Sequence, residues 1–313
     1  MKTILTMLSF FSVALCTSQN GPSYKIAYNV GVPVDSVTTN YEVFVMGING
    51  ENKTNITNNP DVAWTYYAHK KRLFFISDRD TCYRCYYLYE TDPSGNKPKK
   101  ISGLQLEDSW MGSRKNGKEL VVSGRIGKSI RAQLFLIDTD TGASLQITND
   151  TLAMHRDPTF SPDGGQIVFA YKKDRKDRNS HEELYIMDAD GKNLKQLTFY
   201  PQNDPFLNEY GYKAGPPRWH PTENFISYQS QQNGKYSLYA VTPDGSKHWK
   251  LTENQQEEGW HDWSSDGKWL AIEFYDDKTK QFSIGLMNWE TKEVKTLTDN
   301  SIRLQHAPVF VTN

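Results

Sequence analysis

Three of the seven histidines of this sequence, His155, His261 and His306, lie in loops that lead into short aromatic or apolar segments. Imidazole exchanges protons near neutral pH and also binds divalent cations. Tyr212 and Lys213 occupy a further loop of the same kind. If these loops converge, their side chains form a site for acid–base or metal chemistry. The alternative is that they are polar residues that only form hydrogen bonds across a channel.

Arginines and a tryptophan near the same loops are candidates for ligand binding. They are Arg79, Arg125, Arg156, Arg218 and Trp260. Guanidinium groups bind carboxylates through paired hydrogen bonds, so these residues predict a cationic pocket for an anionic ligand. The alternative is that they are solvated surface charges. The proline-rich loop 200–216 is predicted to be a wall or lid of the pocket, or else a tolerated surface insertion.

Cys82 and Cys85 are the two cysteines that follow the amino-terminal segment. A tetrahedral zinc site needs four ligands, and the sequence has no second cysteine pair to complete one. No βαβ pattern surrounds the pair, which argues against a thioredoxin-like role. The spacing therefore predicts a local disulfide that braces a loop, or two idle thiols.

The composition excludes several classes of protein. The chain has 313 residues, with 36 basic and 37 acidic side chains, and this balance argues against a nucleic-acid partner. No apolar run is long enough for a transmembrane helix. The motif Gly-x-Ser-x-Gly of serine hydrolases is absent. An aromatic content of 13% favours β structure.

The amino-terminal segment has the pattern of a secretory signal. Lys2 precedes an apolar stretch from Ile4 to Ala14, and small residues follow it. We predict a signal peptide over residues 1–18 and a single domain over residues 19–313, in the periplasm or secreted. The alternative is a lipoprotein signal with acylation at Cys16.

A repeated unit organises the remainder of the chain. An aliphatic residue followed by Thr or Ser recurs six times, with offsets of 45, 46, 50, 54 and 46 residues. The copies begin at Ile56, Ile101, Ile147, Leu197, Leu251 and Leu297. Each copy follows an apolar run and a turn, which together predict a β-hairpin, and two further strands precede each hairpin. Units of this length with four strands are typical of propeller blades.

The two ends of the chain predict how the ring closes. Residues 306–311 repeat the pattern of an innermost strand, whereas Tyr24–Val30 begins a unit that lacks one. One blade is therefore assembled from both ends, which removes the unpaired edges of the sheet. We predict an all-β, six-bladed propeller with four antiparallel strands per blade. No blade face is conspicuously apolar, which favours a monomer.

The stretch from Asp157 to Gly164, the hairpin turn at Asp190-Gly191 and the strand at Leu197-Thr198 resemble the TolB-type propeller repeat. This resemblance implies a six-bladed propeller and a protein of the bacterial cell envelope. TolB proteins carry an additional amino-terminal α/β domain, and here the first blade strand begins at about Tyr24. The resemblance therefore also allows a non-catalytic periplasmic binding or interaction module.

The repeat is more distantly similar to that of secreted oligogalacturonate lyases. This second resemblance implies a divalent cation, Mn²⁺ or Ca²⁺, held by His155, His261, Gln305 and His306. It also implies a base among His155, His261, His306, Tyr212 and Lys213 that removes a proton from a uronate sugar. The expected activity is a lyase or dehydratase that acts by β-elimination on anionic oligosaccharides of pectic or algal polysaccharides such as ulvan. Those lyases have seven blades, one more than this chain.

Overall fold

A computed structural model describes residues 23–34, 39–201, 212–232 and 234–312. The predicted signal peptide lies outside these residues, as does most of the predicted lid. The described part of the chain forms 24 β-strands, arranged as six blades of four antiparallel strands. This confirms the predicted fold. No helix of the described residues has the length and apolar character needed to cross a membrane.

The strands follow one another around the ring. Blade 1 contains β1 (Tyr24–Pro33), β2 (Thr39–Gly47) and β3 (Thr54–Asn55). Blade 2 contains β4 (Ala63–His69), β5 (Arg72–Ser77), β6 (Tyr87–Thr91) and β7 (Lys99–Leu106). Blade 3 contains β8 (Gly112–Arg114), β9 (Glu119–Ile126), β10 (Ile130–Asp138) and β11 (Ser144–Gln146). Blade 4 contains β12 (Met154–Phe160), β13 (Gln166–Lys172), β14 (Glu182–Asp188) and β15 (Lys195–Gln196). Blade 5 contains β16 (Arg218–Trp219), β17 (Ile226–Gln232), β18 (Lys235–Val241) and β19 (His248–Lys250). Blade 6 contains β20 (Glu257–Trp263), β21 (Trp269–Asp276), β22 (Gln281–Asn288) and β23 (Val294–Thr296).

The last strand, β24 (Gln305–Thr312), closes the ring by joining blade 1. It pairs antiparallel with β1, so that Phe310 lies opposite Ile26 and Val309 opposite Ala27. The predicted closure is therefore confirmed. The innermost strands around the central channel are β24, β4, β8, β12, β16 and β20.

Blades 2 and 3 form one continuous sheet, which the repeat does not predict. The long strand β7 extends beyond blade 2, and Gln105 and Leu106 pair with Arg125 and Gly124 of β9. This pairing uses backbone groups that the outermost strand of a blade otherwise leaves unpaired.

The repeated aliphatic–Thr motif has two functions in the structure. The aliphatic side chain is buried between blades, as Leu197 and Leu297 illustrate. In four of the six copies, the hydroxyl of the following Thr accepts a backbone N–H from the third strand of its own blade. The pairs are Thr57 with Val43, Thr148 with Leu134, Thr198 with Leu184, and Thr298 with Ile284. The motif thus closes the last turn of the blade and anchors it to the core.

Each hairpin turn that contains glycine packs on the motif of the preceding blade. A Cβ added to Gly191 would lie 2.8 Å from the carbonyl oxygen of Ile147, and one added to Gly95 would lie closer still to that of Ile56. Both glycines have positive φ angles, of 87° and 75°. Glycine is therefore required here by conformation and by space.

The core is divided among the blade interfaces. The described residues form six buried hydrophobic clusters, and each draws most of its members from two neighbouring blades. Adjacent blades are thus held together chiefly by burial of apolar side chains.

Candidate functional site

Bulges in four innermost strands shape one mouth of the channel. In each of β4, β12, β20 and β24 the pairing register with the neighbouring strand shifts. The shifts lie next to Tyr66, Arg156, Trp260 and His306. An extra residue in one strand bends it and redirects its side chains. These four side chains consequently line the same cavity.

The cavity has a volume of about 380 Å³ and receives residues from all six blades. Its described lining is made of aromatic, charged and polar side chains together with the segment 213–216. The lining residues used below are Tyr66, Asp108, Trp110, Arg156, Asp157, Glu182, Lys213, Trp260, Glu273, Phe282 and His306. The segment 213–216 belongs to the predicted lid, and it forms a wall of the cavity.

An aromatic wall runs along one region of the cavity. The ring centroid of Tyr66 lies 5.3 Å from that of Trp110 and 6.0 Å from that of Trp260. The ring of His306 lies 4.3 Å from that of Phe282 and 6.2 Å from that of Trp260. Such a wall offers flat apolar surface to the non-polar face of a ligand.

The carboxylates of the cavity are held by hydrogen bonds that cross between blades. Asp157 accepts the backbone N–H of Trp110 at 2.9 Å, and Asp108 accepts the hydroxyl of Tyr66 at 2.5 Å. Burial is the main cause that raises the pKa of Asp108. These bonds fix the carboxylates before any ligand binds.

His306 and Glu273 form a pair at the edge of the cavity. The Nδ1 atom of His306 lies 3.3 Å from Glu273 Oε2, which also accepts the backbone N–H of Ala307 at 3.0 Å. A carboxylate at Nδ1 orients the ring and leaves Nε2 to exchange a proton. The pair brings together the two groups that a general base and its orienting carboxylate require, at a distance longer than a typical charge-assisted hydrogen bond.

Arg156 is the arginine of the predicted set that lines this cavity. It donates to the backbone oxygen of Asp108 at 2.9 Å. Burial disfavours its charge, but the neighbouring Asp157, Glu182 and Asp108 outweigh this and raise the pKa of Arg156. The guanidinium is therefore a permanent cation in the cavity.

The three predicted histidines do not converge. The three histidines occupy different positions relative to the register shifts of their strands. His306 is the last residue before its shift and His261 is the first residue after its shift. His155 lies one residue before Arg156, which is the last residue before the shift in β12. His155 is buried against Phe169 and Tyr171, and burial lowers its pKa to about 4. His261 is fully buried, hydrogen-bonds Ser227 at 2.7 Å, and has its pKa lowered to about 3 by burial.

Two further predicted residues also lie away from the cavity. The amide of Gln305 donates to the backbone oxygens of Asp299 and Ile302. Tyr212 stacks on Tyr200 with 4.7 Å between ring centroids, although the adjacent Lys213 does line the cavity.

The predicted cation set does not fit a metal ion. His155, His261, Gln305 and His306 have separate partners, and no group of three or more His, Cys, Asp or Glu side chains in the described ranges is placed to hold one. We therefore derive no chemical step through a metal.

The predicted cationic pocket is wrong in its charge. Among the described lining residues, Asp108, Asp157, Glu182 and Glu273 face only Arg156 and Lys213. The other predicted arginines interact elsewhere. Arg125 pairs with Glu107 at 3.1 Å, and Arg79 lies 5.8 Å from the ring centroid of Tyr89. Arg218 lies over the Trp110 ring at 3.7 Å and beside Asp262 at 3.6 Å. This position is near the opposite end of the channel, and burial there lowers the pKa of Arg218 to about 10.

Sequence reasoning missed Tyr66, Trp110, Glu182, Glu273 and Phe282. Glu182, Glu273 and Phe282 lie on second and third strands, whose ends reach the same mouth as the loops before the innermost strands. Their signal was present in the repeat itself, because equivalent strand ends of a propeller share one face. The disulfide expected from the cysteine spacing is formed, with 5.2 Å between the Cα atoms of Cys82 and Cys85.

Comparisons with known proteins agree with this architecture. The family PD40, TolB beta propeller domain, matches residues 128–313. TolB from Acinetobacter baumannii is similar over 92% of this chain and 66% of its own, just under two thirds, with 15% identity and a TM-score of 0.70. No curated protein sequence matches the chain.

Lyase structures resemble this fold at lower similarity. An oligogalacturonate lyase from Vibrio parahaemolyticus is similar over 84% of this chain and 72% of its own, with 13% identity and a TM-score of 0.54. An oligogalacturonate lyase in complex with manganese is similar over 84% and 71%, with 13% identity and a TM-score of 0.53. At these identities the likeness concerns the fold alone.

Proposed function

The chain belongs to the TolB β-propeller domain family, and from this premise we propose that it is a carbohydrate-binding propeller that acts outside the cytoplasm. Its ligand is an oligosaccharide that carries a carboxylate, such as a uronate. The observation that carries the proposal is the aromatic wall, which shares one cavity with fixed carboxylates and two cations.

Each part of the lining matches one part of such a ligand. The C–H face of a pyranose ring packs on aromatic rings, here that of Trp260, which is partly exposed and is backed by the buried ring of Tyr66. Sugar hydroxyls donate hydrogen bonds to carboxylates, and charge-assisted bonds are stronger than neutral ones. A single uronate carboxylate pairs with Arg156, whose guanidinium has further N–H donors beside the one used on Asp108. The excess of carboxylates in the lining of this cavity disfavours more than one anionic group of the ligand at this position.

Calorimetric titration with uronate oligosaccharides and with their neutral, carboxyl-reduced counterparts tests the proposal. Arg156→Met is expected to weaken uronate binding about tenfold or more and to affect neutral sugars little. Trp260→Ala should weaken both. Trp249→Ala, on β19 and outside the cavity, serves as the matched control. Absence of binding to every sugar by the wild-type protein would overturn the proposal.

The His306–Glu273 pair favours a second candidate, in which the bound uronate undergoes β-elimination. Arg156 neutralises the carboxylate, which acidifies the neighbouring C5 proton. His306 Nε2 takes that proton. The electron pair of the broken C5–H bond forms the C4=C5 double bond, and the C4–O bond breaks. The departing oxygen takes a proton from solvent water and His306 later returns its proton to solvent, so that the products are an unsaturated uronate and a shortened sugar.

Ultraviolet absorbance of the unsaturated product measures this reaction directly. His306→Asn and Glu273→Gln should abolish the rise in absorbance while sugar binding persists. If the wild-type protein binds uronate oligosaccharides without any rise, the cavity is a binding site and the elimination is refuted.

A further inference from the structure

A second lobe lies beside the cavity, between blades 1 and 2. It has a volume of about 370 Å³ and shares the lining residue Asp108 with the first. Tyr41 and Trp64 line it, stacked with 3.9 Å between centroids. Both rings also lie near His306 of the first cavity, at 6.2 and 6.5 Å. The aromatic wall therefore continues without interruption from one lobe into the other.

The loop closed by the Cys82–Cys85 disulfide forms the outer edge of this lobe. It places Tyr83, whose side chain is 80% exposed, and Arg84 in the lining. The hydroxyl of Thr81 donates to the backbone oxygen of Cys85 at 2.8 Å, and the N–H of Cys85 donates to Cys82 at 2.8 Å. The disulfide thus joins the two ends of a tight turn that presents both side chains.

Asp78 fixes this turn to the blade. Its carboxylate accepts the N–H of Val62 at 2.9 Å and that of Arg84 at 2.7 Å. The carboxylate is thus satisfied by backbone groups and is buried. The guanidinium of Arg84 interacts with its neighbour Tyr83, 5.6 Å from that ring centroid, and is attracted by Asp108, but it forms no close ion pair with a carboxylate among the described residues. Asp61 and Asp108 also line the lobe, and Arg84 is the one basic side chain in its described lining. Its guanidinium is therefore the group of this lobe that can pair with a carboxylate of a ligand.

We infer that the second lobe is a subsite for the next unit of the same saccharide, and that the disulfide holds Arg84 in position to bind the carboxylate of that unit. This inference rests on the proposed function and deepens it. The ligand is then a linear oligosaccharide of at least two acidic units, of which the first packs on Trp260 and the second on Tyr41 and Trp64. The disulfide acts by positioning, because reduction leaves the turn with fewer constraints and lowers the population of the binding conformation.

Titration of the intact protein with a uronate monosaccharide, disaccharide and trisaccharide tests the inference. We expect a gain of about tenfold or more from the first to the second length, through the added charge-assisted contact. Arg84→Met should remove most of this gain and leave the monosaccharide affinity unchanged. Cys82→Ser combined with Cys85→Ser, or reduction of the wild-type protein with a dithiol, should reduce the same gain. Arg131→Met, an exposed arginine outside the lobe, is the control.

The outcomes separate this inference from the proposed function. If the monosaccharide binds but longer ligands gain nothing, or Arg84→Met leaves the gain intact, the subsite is refuted while the first cavity stands. If no sugar of any length binds, both are refuted. If the double serine variant fails to fold, the reduced wild-type protein and Arg84→Met still decide the result.

Discussion

Substitution of His155 tests the assignment of this residue to the core rather than to the site. Its imidazole is 3% exposed, lies 5.5 and 5.0 Å from the rings of Phe169 and Tyr171, and has a pKa lowered to about 4 by burial. The unfolded chain therefore binds a proton near pH 6.5, whereas the folded protein does so only near pH 4. Between these values protonation of His155 favours unfolding, so the contribution of this residue to stability rises with pH and becomes constant above about 6.5. At about 1.4 kcal/mol per pKa unit, the contribution of this residue is about 3 kcal/mol.

Two non-titrating variants, His155→Phe and His155→Gln, are expected to flatten that dependence. Urea unfolding at several pH values from 4 to 8 measures it, with tryptophan fluorescence as the signal. The loss of stability from pH 7.5 to pH 4 should be about 3 kcal/mol smaller in both variants than in the wild-type protein, whatever their stability at pH 7.5. Sugar binding should be unchanged. Parallel pH profiles for wild type and variants, or a loss of binding, would refute the reasoning.

Three further predictions concern stability. Burial raises the pKa of Glu183 to about 7, so the contribution of this residue to stability falls by up to about 3 kcal/mol as pH rises from 4.5 to 7. Glu183→Gln should abolish this loss in the same urea measurement. Gly95→Ala should destabilise the protein by more than the about 1–2 kcal/mol that a positive φ costs, because the added Cβ meets the Ile56 carbonyl. Gly245→Ala is the control, because the nearest atom to its added Cβ lies at 3.5 Å and only the conformational cost applies. Equal losses of stability in thermal unfolding would contradict the packing argument. Val309→Asp buries a charge where β24 meets β1 and should prevent cooperative unfolding altogether, a result that circular dichroism on heating would show or contradict.

Much of the fold could be predicted from the sequence because each blade repeats a local rule. The aliphatic–Thr motif recurs where a hydroxyl must accept a third-strand N–H and an aliphatic side chain must fill the space between blades. The pairing of β24 with β1 could be predicted because the first unit of the repeat lacks an innermost strand and the end of the chain supplies one. The extension of β7 into blade 3 did not follow, because it depends on the pairing of Gln105 and Leu106 with a distant strand rather than on any local signal.

The site was predicted less well, for a physical reason. Alternation along a strand gives the direction of a side chain only while the register holds, and bulges interrupt it in four innermost strands. Four of the predicted site residues line the cavity, namely Arg156, Lys213, Trp260 and His306. The side chains of His155 and His261 are instead buried in the core. Charge was misjudged because a count of arginines does not reveal their partners, as the pairing of Arg125 with Glu107 illustrates.

The strand that completes the first blade is far from that blade's other strands in the chain. Ile26 pairs with Phe310, so the first sheet lacks its inner strand until residue 310 has been synthesised. Contacts between such distant residues form late because the intervening chain loses much entropy when its ends meet. Until then the first sheet has an unpaired edge, which is a site of aggregation in a chain that is still folding.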